Sequence, residues 1–267
     1  MPLAILDRDV ISLSGTDDPR EFLAGLITNN LSAPISFAAL LTPQGKIIAD
    51  FFIIDEGYRL LIDVPRKFTA DLLKRLKMYK LRAKIDLEMT ELSVICAWDG
   101  AGSEGYADPR RPNLGRRIYT DSLDVTSDAQ AYNAHRLSLG VPDSAWDFNS
   151  VQVFPADANM DLLNGVDYKK GCFVGQEVVS RMHRKTSVRK RMHAITGESS
   201  DTQSDTQSDT QSDTQSGDLG DLWQGAVKVG AQLSHFGTYG MALMRMDKVD
   251  ASAPLTNSAG QTFTLID

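Results

Sequence analysis

The sequence predicts a mixed α+β protein with an all-β C-terminal part. Three observations carry this. Residues 36–98 are a series of short apolar runs bounded by turn residues. Helical periodicity is confined to a few stretches, after Asp18, after Pro65 and over Asp128–Leu139. Beyond residue 188 the apolar runs are short and separated by turns, the pattern of a small antiparallel barrel. With 267 residues the chain is long enough for a sizeable core and more than one domain.

Val10–Ser14 reads as a short strand closed by Gly15-Thr16. Asp18-Pro19-Arg20-Glu21 then opens a helix: Asp18 can cap, Pro19 suits the first helical position and Glu21 can reach back. Phe22, Leu23, Leu26 and Ile27 share one face of it. The polar Thr28-Asn29-Asn30 ends it, as short side chains that favour caps do. Ser36–Thr42 and Lys46–Asp55 are strands joined by the turn Pro43-Gln44-Gly45, and Tyr58–Val64 is a third. Pro65 opens a second helix, with Phe68, Leu72 and Leu76 recurring every four residues. Ala83–Met89 and Leu92–Trp98 are two more strands. In the second, Leu92, Val94, Cys96 and Trp98 alternate onto one face, which places Cys96 in the core.

Gly100–Gly115 is a Gly-, Pro- and charge-rich loop; with Arg116 and Arg117 it gathers four arginines in eight residues. They are either solvated or poised to bind a carboxylate bidentately. Asp128–Leu139 is an amphipathic helix ended by Gly140-Val141-Pro142. Val178–Met182 is a short helix. Val188–Thr196, Ala226–Leu233, Gly240–Met246 and Thr262–Ile266 are the barrel strands. Between them, Asp201–Ser216 is a tandem Asp-Thr-Gln-Ser repeat without an apolar residue, which predicts a disordered inserted loop.

Formal net charge is −7, which argues against a general nucleic-acid binder but hides local patches. Lys169–His193 holds eight Lys/Arg and one Glu. That basic run could meet an acidic ligand tail, a tRNA phosphate or an acidic protein. Two cysteines are too few for a disulfide framework. No apolar run approaches the roughly 20 residues of a membrane span. The start lacks the features of a signal or transit peptide, so the chain is expected to be cytoplasmic.

Two places carry chemistry. Asp50 lies within an apolar strand, where an acid needs a partner or ligand unless the strand is an edge with a solvent face. Lys169–Glu177 sets Cys172 between Gly171 and Gly175, after two lysines and just ahead of a helix. Glycines admit unusual backbone angles and close approach. The lysines and the helix start favour a thiolate, which predicts a reactive, accessible Cys172.

Lys170-Gly171-Cys172-Phe173-Val174-Gly175-Gln176-Glu177 resembles the K-G-C-[YF]-x-G-Q-E signature of the YgfZ-type folate-binding proteins. These are relatives of the glycine-cleavage T-protein, an aminomethyltransferase, and serve as accessory factors for iron–sulfur enzymes and tRNA modification. Tyr132, Arg136, Gly140, Val141 and Pro142 match a second pattern of the family; Ala156 departs from it, while Asn159 and Asp161 fit. The resemblance covers nearly the whole chain. It implies a T-protein-like multi-module fold around a central opening. Residues 1–35 plus 100–187 would form a discontinuous first module, 36–99 a β-rich second, and 188–267 a barrel with the insert 198–217.

It also implies tetrahydrofolate or a derivative as cofactor, with Asp50, Thr28, Asn29 and Arg110 binding it; Asp50 matches the T-protein's folate aspartate, although Lys46 and Ala49 depart from that pattern. Cys172 would be the reactive thiol and a transient contact for a cluster, with no resident metal. Lys170 and Arg181 would raise the local potential, and Gln176 and Glu177 would order the loop. Partners would be iron–sulfur client or assembly proteins, with tRNA a further candidate and no membrane. The rival readings are a true folate-dependent one-carbon transferase and a tRNA-binding module.

Overall fold

The computed structural model describes residues 1–100, 102–122, 124–184, 188–197 and 219–266. The Asp-Thr-Gln-Ser repeat lies outside the described residues.

From the N-terminus, β1 (Leu3–Leu6) and β2 (Arg8–Gly15) precede the short α1 (Pro19–Ala24), whose N-cap Asp18 accepts from the Arg20 amide. Then come β3 (Ile35–Leu41), β4 (Ile47–Asp55), β5 (Leu60–Pro65) and α2 (Arg66–Lys80). They are followed by β6 (Ile85–Met89), β7 (Ser93–Ala97), β8 (Tyr106–Ala107), β9 (Arg116–Thr120), α3 (Ala129–Ser138) and α4 (Gln176–Arg184). The last six strands are β10 (Lys190–Gly197), β11 (Gly220–Gln224), β12 (Val227–Phe236), β13 (Tyr239–Arg245), β14 (Leu255–Asn257) and β15 (Thr262–Leu265).

The strands make three antiparallel bodies. A five-stranded sheet runs β3-β4-β5-β2-β6, a four-stranded sheet runs β1-β7-β9-β8, and the last six strands close a barrel in the order β10-β13-β12-β11-β14-β15. Sheet membership crosses the module boundaries drawn from the sequence. β2, from residues 1–35, hydrogen-bonds between β5 and β6, while β7, from residues 36–99, pairs with β1 and β9. The pairing of β11 with β12 shifts register at Leu222/Trp223, and that of β12 with β13 at Gln232/Ser234, irregularities of the kind that bend a strand and raise its twist.

The five-stranded sheet is buried on both faces, which is why β3, β4 and β5 read as continuous apolar runs rather than alternating ones. One face takes Leu23 and Ile27 from α1 and its continuation, and Phe68, Leu72 and Leu76 from α2. Each such side chain contributes about 1.5–3 kcal/mol by leaving water. The other face presents Phe37, Leu41, Phe52 and Ile54 to Phe148, Val153, Met160, Phe173, Val179, Met192 and Phe236. This second core joins the sheet to the Cys172 loop, α4 and the barrel. Cys96 is 1% exposed, against Ala4, Leu6, Trp98 and Tyr132, as its alternating strand predicts.

Candidate functional site

Two glycines fix the Cys172 loop. Gly175, directly before α4, has φ +83°, and a Cβ there would sit 2.7 Å from the Thr42 carbonyl oxygen and 3.1 Å from the Gly45 Cα. Gly45, in the β3–β4 turn, has φ +82°, and a Cβ there would meet the Val178 Cβ at 3.0 Å. The start of α4 therefore lies directly on that turn, which only residues without side chains allow. Gly171 has open space around it and no left-handed backbone, so its freedom is not used this way. Buried Phe173 and Val179 anchor the loop and helix in the core.

Lys170 secures the other side. Its ammonium donates to three carbonyl oxygens at the end of α1: Ala24 at 3.0 Å, Ile27 at 2.7 Å and Asn29 at 2.8 Å. These include groups that a helix C-terminus leaves without partners. Burial pulls the Lys170 pKa down to about 8, opposed by nearby Asp167. The side chain is thus a clamp between the motif and α1, with its three hydrogens engaged. Asp167 reinforces it, accepting from the Asn30 side-chain amide at 2.8 Å and from the Lys169 amide at 2.8 Å.

Cys172 is exposed. It stands at the edge of a cavity of about 450 Å³ whose walls include Arg20, Ala24, Asn29, Leu31 and Lys170. Gln176 is the first residue of α4, its amide donating to the Phe173 carbonyl at 3.1 Å, and Glu177 is exposed in the first turn. Arg181 lies in the last turn and lines a different cavity, so it does not share the thiol's surroundings. Two further cations of the basic run are internal. Lys170 is the clamp, and Arg191 is paired with Asp161 at 2.7 Å.

Asp50 lies on β4, a central strand, and is 5% exposed. Ser144 donates a short hydrogen bond to it. Around it is a closed ion network. Arg8 pairs with Asp63 and Asp143, Arg110 with Asp108 and Asp143, Arg117 with Asp63 and Asp108, and Arg136 with Asp147. The guanidinium groups of Arg8, Arg110 and Arg117 also lie over the Phe52 ring, Arg117 at 3.6 Å from its centroid. These four arginines balance Asp63, Asp108, Asp143 and Asp147. Asp50 is a fifth acid, and its pKa rises to about 6, first through burial and then through the charge of Asp143. Asp143 is held below the usual carboxylate range by Arg8 and Arg110, despite its burial.

The residues expected to hold tetrahydrofolate do not fit it as placed. Thr28 is fully buried; its hydroxyl donates to the Gly165 carbonyl at 2.7 Å and accepts from the Ala39 amide at 2.9 Å. The Asn29 amide donates to the Phe37 and Asn164 carbonyls at 2.9 and 2.7 Å. Arg110 is 2% exposed and directs its fork to Asp108 at 3.0 and 2.9 Å. Asp50 faces Ser144 inside the network. Thr28, Asp50 and Arg110 are buried and engaged internally, whereas Asn29 is half-buried and also borders the Cys172 cavity.

Sequence reasoning missed most of this network. The signal was present: Asp63 in the apolar run Leu60–Pro65 raises the same question as Asp50, since a buried charge requires a partner. Arg110 and Arg117 are neither solvated nor free to bind a carboxylate ligand, because β9 carries Arg117 into the core.

The fold is that of the glycine-cleavage aminomethyltransferase T. The protein of that name from Bartonella henselae superposes with a TM-score of 0.67 over 98% of this chain and 83% of that one, at 11% identity. No family model matches the chain. In sequence the chain is similar to mitochondrial proteins named iron–sulfur cluster assembly factor IBA57 homolog. The Mycosarcoma maydis protein is 33% identical over 219 residues, covering 69% of this chain and 54% of that one. The Neurospora crassa protein is 31% identical over 228 residues, covering 70% and 52%. The Pyricularia oryzae protein is 29% identical over 279 residues, covering 91% and 71%. This chain thus spans about half the length of the first two. The relatives are named mitochondrial, and that overturns the cytoplasmic expectation, which rested on the residues at the start of the sequence.

Proposed function

We propose that this protein is an iron–sulfur cluster assembly factor acting through Cys172. The observation that carries the reading is the placement of the thiol. It is the exposed cysteine of the two, it borders a cavity, and its loop is fixed by the Lys170 clamp and the Gly45–Gly175 contact. A packing residue would be buried and a flexible tail would not be fixed, whereas a thiol that must meet an incoming partner needs both exposure and a set position. The similarity to relatives named as assembly factors supports the same reading.

The cluster is cargo rather than a resident group. Binding begins when the thiol loses its proton and the sulfur joins iron, displacing another ligand. An iron–sulfur cluster is commonly held by four ligands. Among the described residues no group of three His, Cys, Asp or Glu side chains is placed to hold a metal ion. Cys172 therefore contributes one ligand and a partner protein supplies the others. The buried ion network has a different part in this account. It ties β2, β5, β9 and the loops around them together through paired charges.

Rescue of a fungal strain depleted of its own relative tests this. The wild-type chain and Cys96→Ser should restore iron–sulfur enzyme activities, while Cys172→Ser, present at equal level, should not. Full rescue by Cys172→Ser would reject the proposal.

A further inference from the structure

The basic run leaves one feature that the cluster reading does not use. Lys46 from the β3–β4 turn, Arg181 from the last turn of α4, and Arg189 and Lys190 at the start of the barrel converge on one cavity of about 540 Å³. They come from three parts of the fold, and their grouping is not visible as a sequence motif. Among the described residues, none of the four lies within ion-pair distance of a carboxylate. Eleven other cations have such partners, for example Arg20 with Asp55 and Arg191 with Asp161. Convergent like charges repel one another unless an anion sits among them.

The cavity is not a flat charged face. Val153, Phe154, Met182 and Leu243 give it an apolar lining, and Lys46 rests 5.8 Å from the Phe154 ring centroid. Among the described residues that line it, Asp157 is the one acid. It is 9% exposed, accepts from the Phe154 amide at 3.0 Å, and feels the positive charge of Lys190 and Lys46 without an ion pair to either. Four cations against one acid leave a net of three positive charges. A concave site at a junction of modules, apolar in its lining and with a few convergent charges, is the usual form of a small-molecule site.

We propose that this cavity binds a small, multiply charged anion with an apolar body, its phosphate or carboxylate groups among Lys46, Arg181, Arg189 and Lys190 and its body against Phe154 and Leu243. The site is separate from Cys172, which borders another cavity at the opposite end of α4.

Titration calorimetry at low ionic strength with ATP and with tripolyphosphate tests this. ATP supplies both charge and an apolar ring, and tripolyphosphate supplies charge alone. ATP should bind saturably with one site per chain and several-fold more tightly than tripolyphosphate. The double substitution Arg181→Ala/Arg189→Ala should weaken ATP at least about tenfold, the scale of two lost charge-assisted contacts. Both side chains are exposed, so the variant's melting temperature should match wild type. Cys172→Ser should bind ATP like wild type, which keeps this result independent of the cluster reading. Absence of saturable binding by both probes, or equal affinity in the double variant, would overturn the proposal. Tripolyphosphate binding as tightly as ATP would overturn the apolar part of it.

Discussion

At the scale of single residues, two cysteines and one aspartate carry the account. Cys96 is enclosed by Trp98 and Tyr132, and burial pushes its thiol up, so it reacts only when the core opens. Cys172 needs no such opening. Under native conditions, alkylation followed by peptide mass spectrometry should modify Cys172 about a hundredfold faster or more. In denaturant the two rates should converge. Asp50 makes a pH prediction. Its folded pKa of about 6 lies above the ordinary value, so the native state holds a proton that the unfolded chain has released. Stability from this group is therefore full below about pH 4 and is lost as pH rises through 6. Asp50→Asn, which cannot ionise, should stabilise the protein at pH 7.5 by on the order of 2 kcal/mol. It should have little effect at pH 4. Melting curves at both pH values check this; destabilisation at pH 7.5 would show that ionised Asp50 is a favourable member of the network.

At the scale of elements, the contact between the β3–β4 turn and α4 decides where the thiol sits. Gly175→Ala forces a side chain into left-handed backbone, costing about 1–2 kcal/mol, and against a carbonyl oxygen besides. It should lower the melting temperature and change the Cys172 alkylation rate. Gly171→Ala, with open space and ordinary backbone, should do neither. Equal effects of the two substitutions would mean that the loop is not held by this contact. Helix α3 was legible in the sequence to within a residue at each end, and for α2 the start at Pro65 and the buried stripe Phe68, Leu72 and Leu76 were, because amphipathic repeats mark them. Helix α1 ends at Ala24, earlier than its apolar face suggested, since Gly25 caps it and Ile27 continues the packing without helical backbone. Strands β1, β8, β9, β11 and β14 were not legible. They are short, and β1 and β9 pair with β7 across a long stretch of chain, as in Leu3–Leu6 with Val94–Ala97.

At the scale of the whole molecule, the closed barrel and the T-protein fold were readable from turn spacing and from the motif, and the superposition bears them out. The buried network was not readable. Its arginines come from β2, the loop after β8, β9 and α3, and only the folded chain brings them to Phe52 and the acids of β5 and its neighbours. The motif located Cys172 but could not reveal that Lys170 is a clamp and that Arg181 belongs to another cavity. The same assembled scaffold explains how one thiol can be both exposed and fixed: the five-stranded sheet, α1 and the barrel-facing core all converge behind its loop.

The central claim is that Cys172 contacts cluster iron. Tagged protein should be isolated anaerobically from the rescued mitochondria, and its iron and acid-labile sulfide measured. Wild type and Cys96→Ser should carry both, with a partner protein co-purifying. Cys172→Ser should carry neither while keeping the wild-type melting temperature. Iron and sulfide retained at wild-type level in Cys172→Ser, or absent from the wild-type protein, would contradict the account.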